Sequence, residues 1–350
     1  MTQQENRRAP RQLLPVWRLI LRDLLLTAAV MGVFFFFKLL LPILQAESIA
    51  QVSMTPTPTA AASAAETAAP APEEAAAEAE AEPTPDLRTP WQIRFAEHFS
   101  EEPMLTDHSY TSPRTSIDVQ TYTKELDGRT AVYHVADIYI ASPEQFQTYT
   151  ANNELKYYSV QPVEEMDAAS HAILSVSGDA YSWQPYGLLL RNGQLYKDEP
   201  SYSDICVLYR DGRMATYAWG EYDMEALLAE DPAQIWSFGP SLLDEQGHVK
   251  DNYNVDGPVG FQNPRCALGY YEPGHYCFVV VDGRQDGYSD GMIIRELAEV
   301  FEELGCRCAY NLDGGGTAVM YFNHAPFSRQ SNGGDREIGD IVLITEEGFA

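Results

Sequence analysis

The chain has 350 residues, with 23 Lys and Arg against 51 Asp and Glu, a formal net charge of −28. Its 45% apolar and 11% aromatic residues supply a core and exclude wholesale disorder. No Lys/Arg cluster lies beyond residue 22, so the basic stripe that nucleic acid requires is missing and no nucleic-acid partner is expected.

Read from the N-terminus, Arg7, Arg8, Arg11, Arg18 and Arg22 precede an apolar stretch from Leu24 to Leu44, interrupted by Lys38. About 20 apolar residues cross a bilayer core, and a lysine near the end of a span can reach the interface. The expectation is a cytoplasmic basic tail over residues 1–23 and a single-pass membrane anchor over 24–44, with the rest of the chain outside the cytoplasm. A cleaved signal peptide is the alternative, because the uncharged run Leu24–Phe37 has the length of an h-region; Leu44-Gln45-Ala46 is a poor cleavage site. Either route exports the remainder of the chain.

Residues 45–90 hold 15 Ala and 7 Pro and no aromatic residue. Such a segment cannot bury enough apolar area to repay its ordering entropy, so it reads as a disordered stalk, with helix propensity in Ala60–Ala81. Residues 1–90 carry 7 Lys/Arg and 10 Asp/Glu, which leaves 16 and 41, a net −25, on residues 91–350.

In that globular part strand signals dominate. Ala131–Ile140 is rich in β-branched and aromatic residues and comes after Asp127-Gly128. Gly187–Leu190 and Gln194–Tyr196 flank Asn192-Gly193, and Ile205–Tyr209 and Arg213–Tyr217 flank Asp211-Gly212; both patterns predict hairpins. Ala172–Val176, Tyr276–Val281, Cys306–Tyr310, Thr317–Asn323 and Asp340–Thr345 read as further strands. Ile293, Leu297, Val300, Phe301 and Leu304 share one helical face, so Gly291–Leu304 reads as a helix, capped by Ser289 or Asp290 and ended by Gly305. Shorter helices are expected at Ser142–Asn152 and Met224–Ala229. The fold class is α+β, a strand-rich mixed sheet core with a few packed helices.

Five cysteines, at 206, 266, 277, 306 and 308, read as buried small hydrophobes, with Cys266–Cys277 a candidate disulfide. Cys306 and Cys308 would face opposite sides of a strand. No zinc-ligand spacing exists, and no metal or cofactor is expected.

The most unusual segment is Asn311-Leu312-Asp313-Gly314-Gly315-Gly316-Thr317. Three successive glycines cost chain entropy and are tolerated where backbone turns sharply or approaches a ligand. Alternation would put Asn311 and Asp313 on one face beside an anion-binding backbone. A tight β-turn with solvated polar side chains fits the spacing equally. Asp282-Gly283-Arg284 comes directly after an apolar strand and reads either as a site or as a simple turn. Arg265 and Arg284 stand out in so acidic a domain, as phosphate clamps or as structural ion pairs. Ser175-Val176-Ser177-Gly178-Asp179 ends another strand without nucleophile-elbow spacing. His324 reads as a surface residue.

Asp282-Gly283-Arg284, Tyr288-Ser289-x-Gly291, Glu296-Leu297-Ala298, Gly305 and Asn311–Thr317 occur in an order and spacing that resemble the phosphodiester glycosidase family, the domain of the mannose-6-phosphate uncovering enzyme. Ser177-Gly178-Asp179 resembles that family's Asn-Gly-Asp turn, with Ser177 in the place of its Asn. Arg191-Asn192-Gly193, Phe238–Leu242, Asn263–Gly269 and Arg336-x-x-Gly339-Asp340 fit looser blocks, and Thr317 stands where the family has Ser. The resemblance covers about 170–348, so the domains are expected as an N-terminal extension over 91–169 and a phosphodiester glycosidase-like domain over 170–350.

The resemblance implies hydrolysis of a sugar-1-phosphodiester; with the anchor expected from residues 24–44, the reading is an extracytoplasmic enzyme acting on cell-surface glycans or glycopolymers. It implies Asp313, Asp282 and Asn311 as catalytic residues. Arg265, Arg284, Gly314, Gly315, Gly316, Thr317, Ser177, Gly178 and Asp179 are implied to bind substrate. The other reading is a non-catalytic glycan-binding or envelope/exopolysaccharide-assembly protein on the same fold. Oligomeric state is not encoded in any pattern found.

Overall fold

A computed structural model describes residues 87–184, 186–253, 255, 257–331 and 336–347. The expected tail, the anchor at 24–44 and nearly all of the stalk lie outside the described residues. Among the described residues no helix is long and apolar enough to cross a membrane.

Three sheets carry the structure. The largest runs Met104–Leu105, Ser109–Thr111, Thr115–Leu126, Arg129–Ile140, His275–Val281, Arg265–Glu272, Cys308–Asn311. A second runs Met214–Tyr217, Ile205–Tyr209, Pro232–Trp236, Leu188–Arg191, Gln194–Asp198. The third runs Ala325–Pro326, Met320–Phe322, Leu174–Ser177, Asp340–Ile344, Phe146–Thr150. The registered pairings are antiparallel. With four short α-helices among the described residues, the α+β class holds.

The hairpins form where the turn dipeptides stand. Asp127 and Gly128 take φ 49° and 79° between Thr115–Leu126 and Arg129–Ile140, and Asn192 and Gly193 take 50° and 78°. Positive φ at both central residues matches the twist of the flanking strands.

Alternation along each strand builds two cores on the two faces of the largest sheet. Phe278 and Val280 join Leu268, Ile117 and Ile138 on one face, where Leu208 and Trp236 of the second sheet and Val176, Met320 and Val342 of the third meet them. Cys277, Val279 and Val281 point to the other face, covered by Leu297, Ala298 and Phe301 of helix Ile294–Glu303.

Several expectations change. Residues 142–152 are not an α-helix: a 3-10 turn at Pro143–Gln145 leads into strand Phe146–Thr150, and a second 3-10 turn follows at Ala151–Asn153. Phe146 is buried against Trp236, Tyr276 and Phe278, and a strand is what pairs it with Ile344. Helix 294–303 is not capped by Ser289 or Asp290. Its N-cap is Ile293, whose N–H donates to Glu296 Oε2 at 2.9 Å. Ser289 is used elsewhere: its Oγ donates to Asp282 O and accepts from Val132 N–H. Cys266 and Cys277 lie on opposite faces of the sheet and cannot pair. Helix Val163–Ser170 and strands Thr115–Leu126 and Pro232–Trp236 had no strong sequence signal. Residues 91–169 supply Arg129–Ile140, paired to His275–Val281, and Phe146–Thr150, paired to Asp340–Ile344.

Candidate active site

Strand Cys308–Asn311 lies at the edge of the largest sheet and delivers the glycine segment beyond its end. There Leu312 N–H donates to Cys266 O at 2.8 Å, Asp313 N–H to Gly178 O at 3.0 Å and Gly315 N–H to Pro264 O at 2.9 Å. The segment is thus clasped between the start of strand Arg265–Glu272 and the end of strand Leu174–Ser177. The approach is so close that a Cβ at Gly314 would stand 2.6 Å from Pro264 O.

Asp313 is almost fully buried. Its Oδ1 accepts Gly314 N–H at 2.9 Å, and its Oδ2 accepts from the Arg336 guanidinium. Arg336 also reaches Gly314 O and Thr317 Oγ1, both at 3.2 Å. Burial pushes the Asp313 carboxyl above the usual aspartate range; Arg336 and Gly314 N–H pull it down, and the Asp179 charge pushes it up. Arg284, at φ 57°, donates to Asn263 Oδ1 at 3.2 and 2.5 Å, and its guanidinium lies against Gly315. Two arginines and one buried aspartate therefore meet at the glycine turn. Gly314 and Gly315 commit their N–H groups to Asp313 and Pro264, so those two donors are not open to a ligand.

The clasping segment brings a second carboxylate. Asp179 Oδ2 accepts Ser237 N–H at 2.8 Å and Arg191 at 3.4 Å, while Asp179 N–H donates to Asp340 Oδ1 at 2.7 Å. Arg191 Nε donates to Asp340 Oδ2 at 2.7 Å, completing a buried Asp179–Arg191–Asp340 group. Burial lifts the Asp340 carboxyl to about 6, against Arg191, which lowers it, and with Asp179, which raises it. Asn311, fully buried, donates Nδ2 to Gly239 O at 2.8 Å.

Three buried acceptors here have no hydrogen-bond partner among the described residues: Ser177 Oγ, Asp179 Oδ1 and Asn311 Oδ1. Two of these oxygens can only accept, so hydroxyl or N–H donors suit them. A cavity of about 180 Å³ is lined by Gln184, Ser203, Asp204, Phe238, Gly239, Pro240, Val255 and Val259, and none of the three acceptors, nor Asp313, Arg284 or Arg336, lines it. Gly239 is the residue whose carbonyl holds Asn311.

Two expected site residues are placed differently. The Arg265 guanidinium is buried and donates to Met292 O at 2.9 Å, Val259 O at 2.8 Å and Phe261 O at 2.6 Å. Burial, then Arg284, lowers its pKa to about 10. It clamps loop carbonyls rather than facing the glycine turn. Asp282 is saturated: Oδ2 meets His134 Nε2 at 3.0 Å and Tyr288 OH at 2.9 Å, and Oδ1 accepts Arg329 N–H at 2.9 Å. It braces the turn that carries Arg284 two residues on. His324 bonds Asp167 at 2.7 Å, on helix Val163–Ser170. Arg336 was not expected at the site. It lies 23 residues from Asp313, and only the block Arg336-x-x-Gly339-Asp340 pointed toward it. Among the described residues no group of three or more His, Cys, Asp or Glu is placed to hold a metal ion.

The fold and this cluster define a class: a strand-rich α+β domain with buried acidic and polar acceptors beside arginines at a glycine turn. A family model for phosphodiester glycosidase matches residues 169–345, and the chain belongs to that family. It is 26% identical over 176 residues to the SPbeta prophage-derived uncharacterized protein YomE of Bacillus subtilis (strain 168), covering 49% of this chain and 27% of that one. The chain thus spans about a quarter of that relative's length. Among solved structures, the zebrafish N-acetylglucosamine-1-phosphodiester alpha-N-acetylglucosaminidase catalytic domain, auto-inhibited by its pro-peptide, matches at TM-score 0.55 and 18% identity, over 70% of this chain and 88% of that one. A hypothetical protein from Synechocystis matches at TM-score 0.47 and 12% identity, over 67% and 62%.

Proposed function

We propose that this protein is an extracytoplasmic hydrolase, anchored by residues 24–44, that cleaves a sugar-1-phosphodiester on cell-surface glycans or glycopolymers. The observation that carries this reading is Asp313: a buried carboxylate at the glycine turn, bonded to Arg336, close to Asp179, with Arg284 against Gly315.

Arg284 and Arg336 hold the phosphate oxygens and stabilise the charge that grows on them as the sugar–oxygen bond breaks. A phosphate leaves with little need of a proton, so Asp313 works ionised, stabilising the positive charge that develops at the anomeric carbon. Water then adds to that carbon and gives up one proton to the departing phosphate or to solvent, leaving the free sugar and the phosphomonoester. Asp179 Oδ1, Asn311 Oδ1 and Ser177 Oγ accept hydroxyl protons of the sugar. Asp282 and Arg265 act through the loops they brace.

The test is an assay of the full chain and of Asp313→Ala against a panel of sugar-1-phosphodiesters, N-acetylglucosamine-1-phosphodiesters among them. Wild-type release is expected, with a loss of at least about 100-fold in the variant and unchanged near-UV circular dichroism. Equal release by both proteins refutes the role of Asp313. Ser177 favours the second reading, a glycan-binding or envelope-assembly protein. It replaces the Asn of the family turn and leaves its Oγ buried without a partner among the described residues. Sugar binding without release from any phosphodiester would establish that reading.

A further inference from the structure

Cys277 and Cys306 lie 3.6 Å apart, sulfur to sulfur, and both are buried. Cys277 sits in strand His275–Val281 on the face covered by helix Ile294–Glu303, and Cys306 comes directly after that helix and Gly305. The neighbouring strand leaves room for both sulfurs. A Cβ at Gly269 would stand 2.5 Å from Cys277 Sγ and 2.9 Å from Cys306 Sγ.

The other three cysteines are directed elsewhere. Cys308 is two residues on and packs in the opposite core, where it meets Cys206. Cys266 packs in that same opposite core and donates its thiol to Ser177 O at 3.1 Å. Among the described residues Cys306 therefore has one cysteine sulfur within bonding reach on its own face. Covalent closure to about 2.0 Å takes small rotations of two side chains into the space beside Gly269.

We propose that Cys277 and Cys306 are joined by a disulfide bond in the mature protein. The oxidant is an exchanging disulfide, of protein or low molecular weight. One cysteine thiolate attacks it and expels a thiol, leaving a mixed disulfide. The second thiolate attacks the protein sulfur of that mixed disulfide and expels the second thiol. Two protein thiols are oxidised, one external disulfide is reduced to two thiols, and the two protons pass to the leaving sulfurs. The export expected from residues 1–44 leads to a compartment where such bonds persist. The bond closes the segment that contains Asp282, the Arg284 turn and helix Ile294–Glu303. It fixes the root of the strand that ends at Asn311 and leads into Asp313.

The test uses the full chain, unfolded and refolded in glutathione buffers of stepped potential, alkylated without reductant and mapped by mass spectrometry. The expected result is a linked peptide pair containing Cys277 and Cys306 at oxidising potentials, with Cys266 alkylated throughout. Tm is expected to fall by roughly 5–10 °C on reduction, and not at all in Cys306→Ser or Cys277→Ala. Full alkylation of Cys277 and Cys306 at the most oxidising potential overturns the proposal. So does a link from either residue to another cysteine.

Discussion

The Asp313–Arg336 pair sets the electrostatics of the candidate site. Burial and Asp179 raise the aspartate, and Arg336 opposes them. With Asp313 acting ionised, activity is lost as pH falls through its pKa, above the ordinary aspartate value of about 3.9. Arg336→Ala is expected to move this acid limb to higher pH, because a lowering charge is gone, whereas Arg336→Lys retains most of the effect. A pH–rate profile of the three proteins reads the shift, and an unmoved limb would remove Arg336 from the site's electrostatics. Asp340 has a different consequence. Its folded pKa of about 6 exceeds its unfolded one of about 3.9, so its contribution to stability is fully present below about 4 and is lost as pH rises through about 6. Urea unfolding at pH 4 to 7 is expected to show this component in the wild type and not in Asp340→Asn. Asp313 was legible because its glycines are contiguous; Arg336 was not, because nothing local marks an arginine that finds its partner only through folding.

The body and C-terminal end of helix Ile294–Glu303 were legible, since its buried face repeats at helical spacing and Gly305 follows at φ 78°, but its start lies three residues later than the expected Gly291. Phe301, fully buried on that face, is expected to cost about 3–5 kcal/mol when replaced by alanine, seen as a lower urea midpoint with an unchanged slope. Its cap was misread because a free serine and a serine already bonded to Asp282 look alike in sequence. Strand Phe146–Thr150 was misread for a related reason: its pattern is short, and long-range pairing with Asp340–Ile344 decided between helix and strand. At the glycine segment, Gly314→Ala is expected to abolish sugar release and to lower Tm, because the added Cβ would stand 2.6 Å from the backbone oxygen of buried Pro264, which cannot move aside cheaply. A variant with wild-type activity would show that the close clasp is not needed.

At the scale of the molecule, the family match begins at residue 169, yet strand Arg129–Ile140 is paired on both sides, to Thr115–Leu126 and to His275–Val281. A chain starting at residue 170 would expose the edge of His275–Val281, whose seven residues are apolar or aromatic but for His275. Such a protein is expected to be insoluble, or to lack near-UV circular dichroism, while one starting at residue 87 folds. Soluble, cooperative unfolding of the shorter chain would make the N-terminal strands dispensable. The net −25 of residues 91–350 also gains meaning at this scale: in so acidic a domain, Arg284 and Arg336 meet at one turn, where Arg336 is paired with Asp313.

The hairpins, the amphipathic helix, the strand-rich class and the family could be read from the amino acids, because each rests on local order: turn dipeptides that accept positive φ, apolar spacing at fixed periods and a motif read in order. Tertiary structure alone decided which charged residues share a site. It sent Arg265 to three loop carbonyls and saturated Asp282 with His134, Tyr288 and Arg329. It also brought Arg336 to Asp313, and set Asp179 beside them through Asp313 N–H on Gly178 O. A buried polar group must find its partner wherever the chain supplies one, and antiparallel pairing between distant strands, not proximity in sequence, settles where that is.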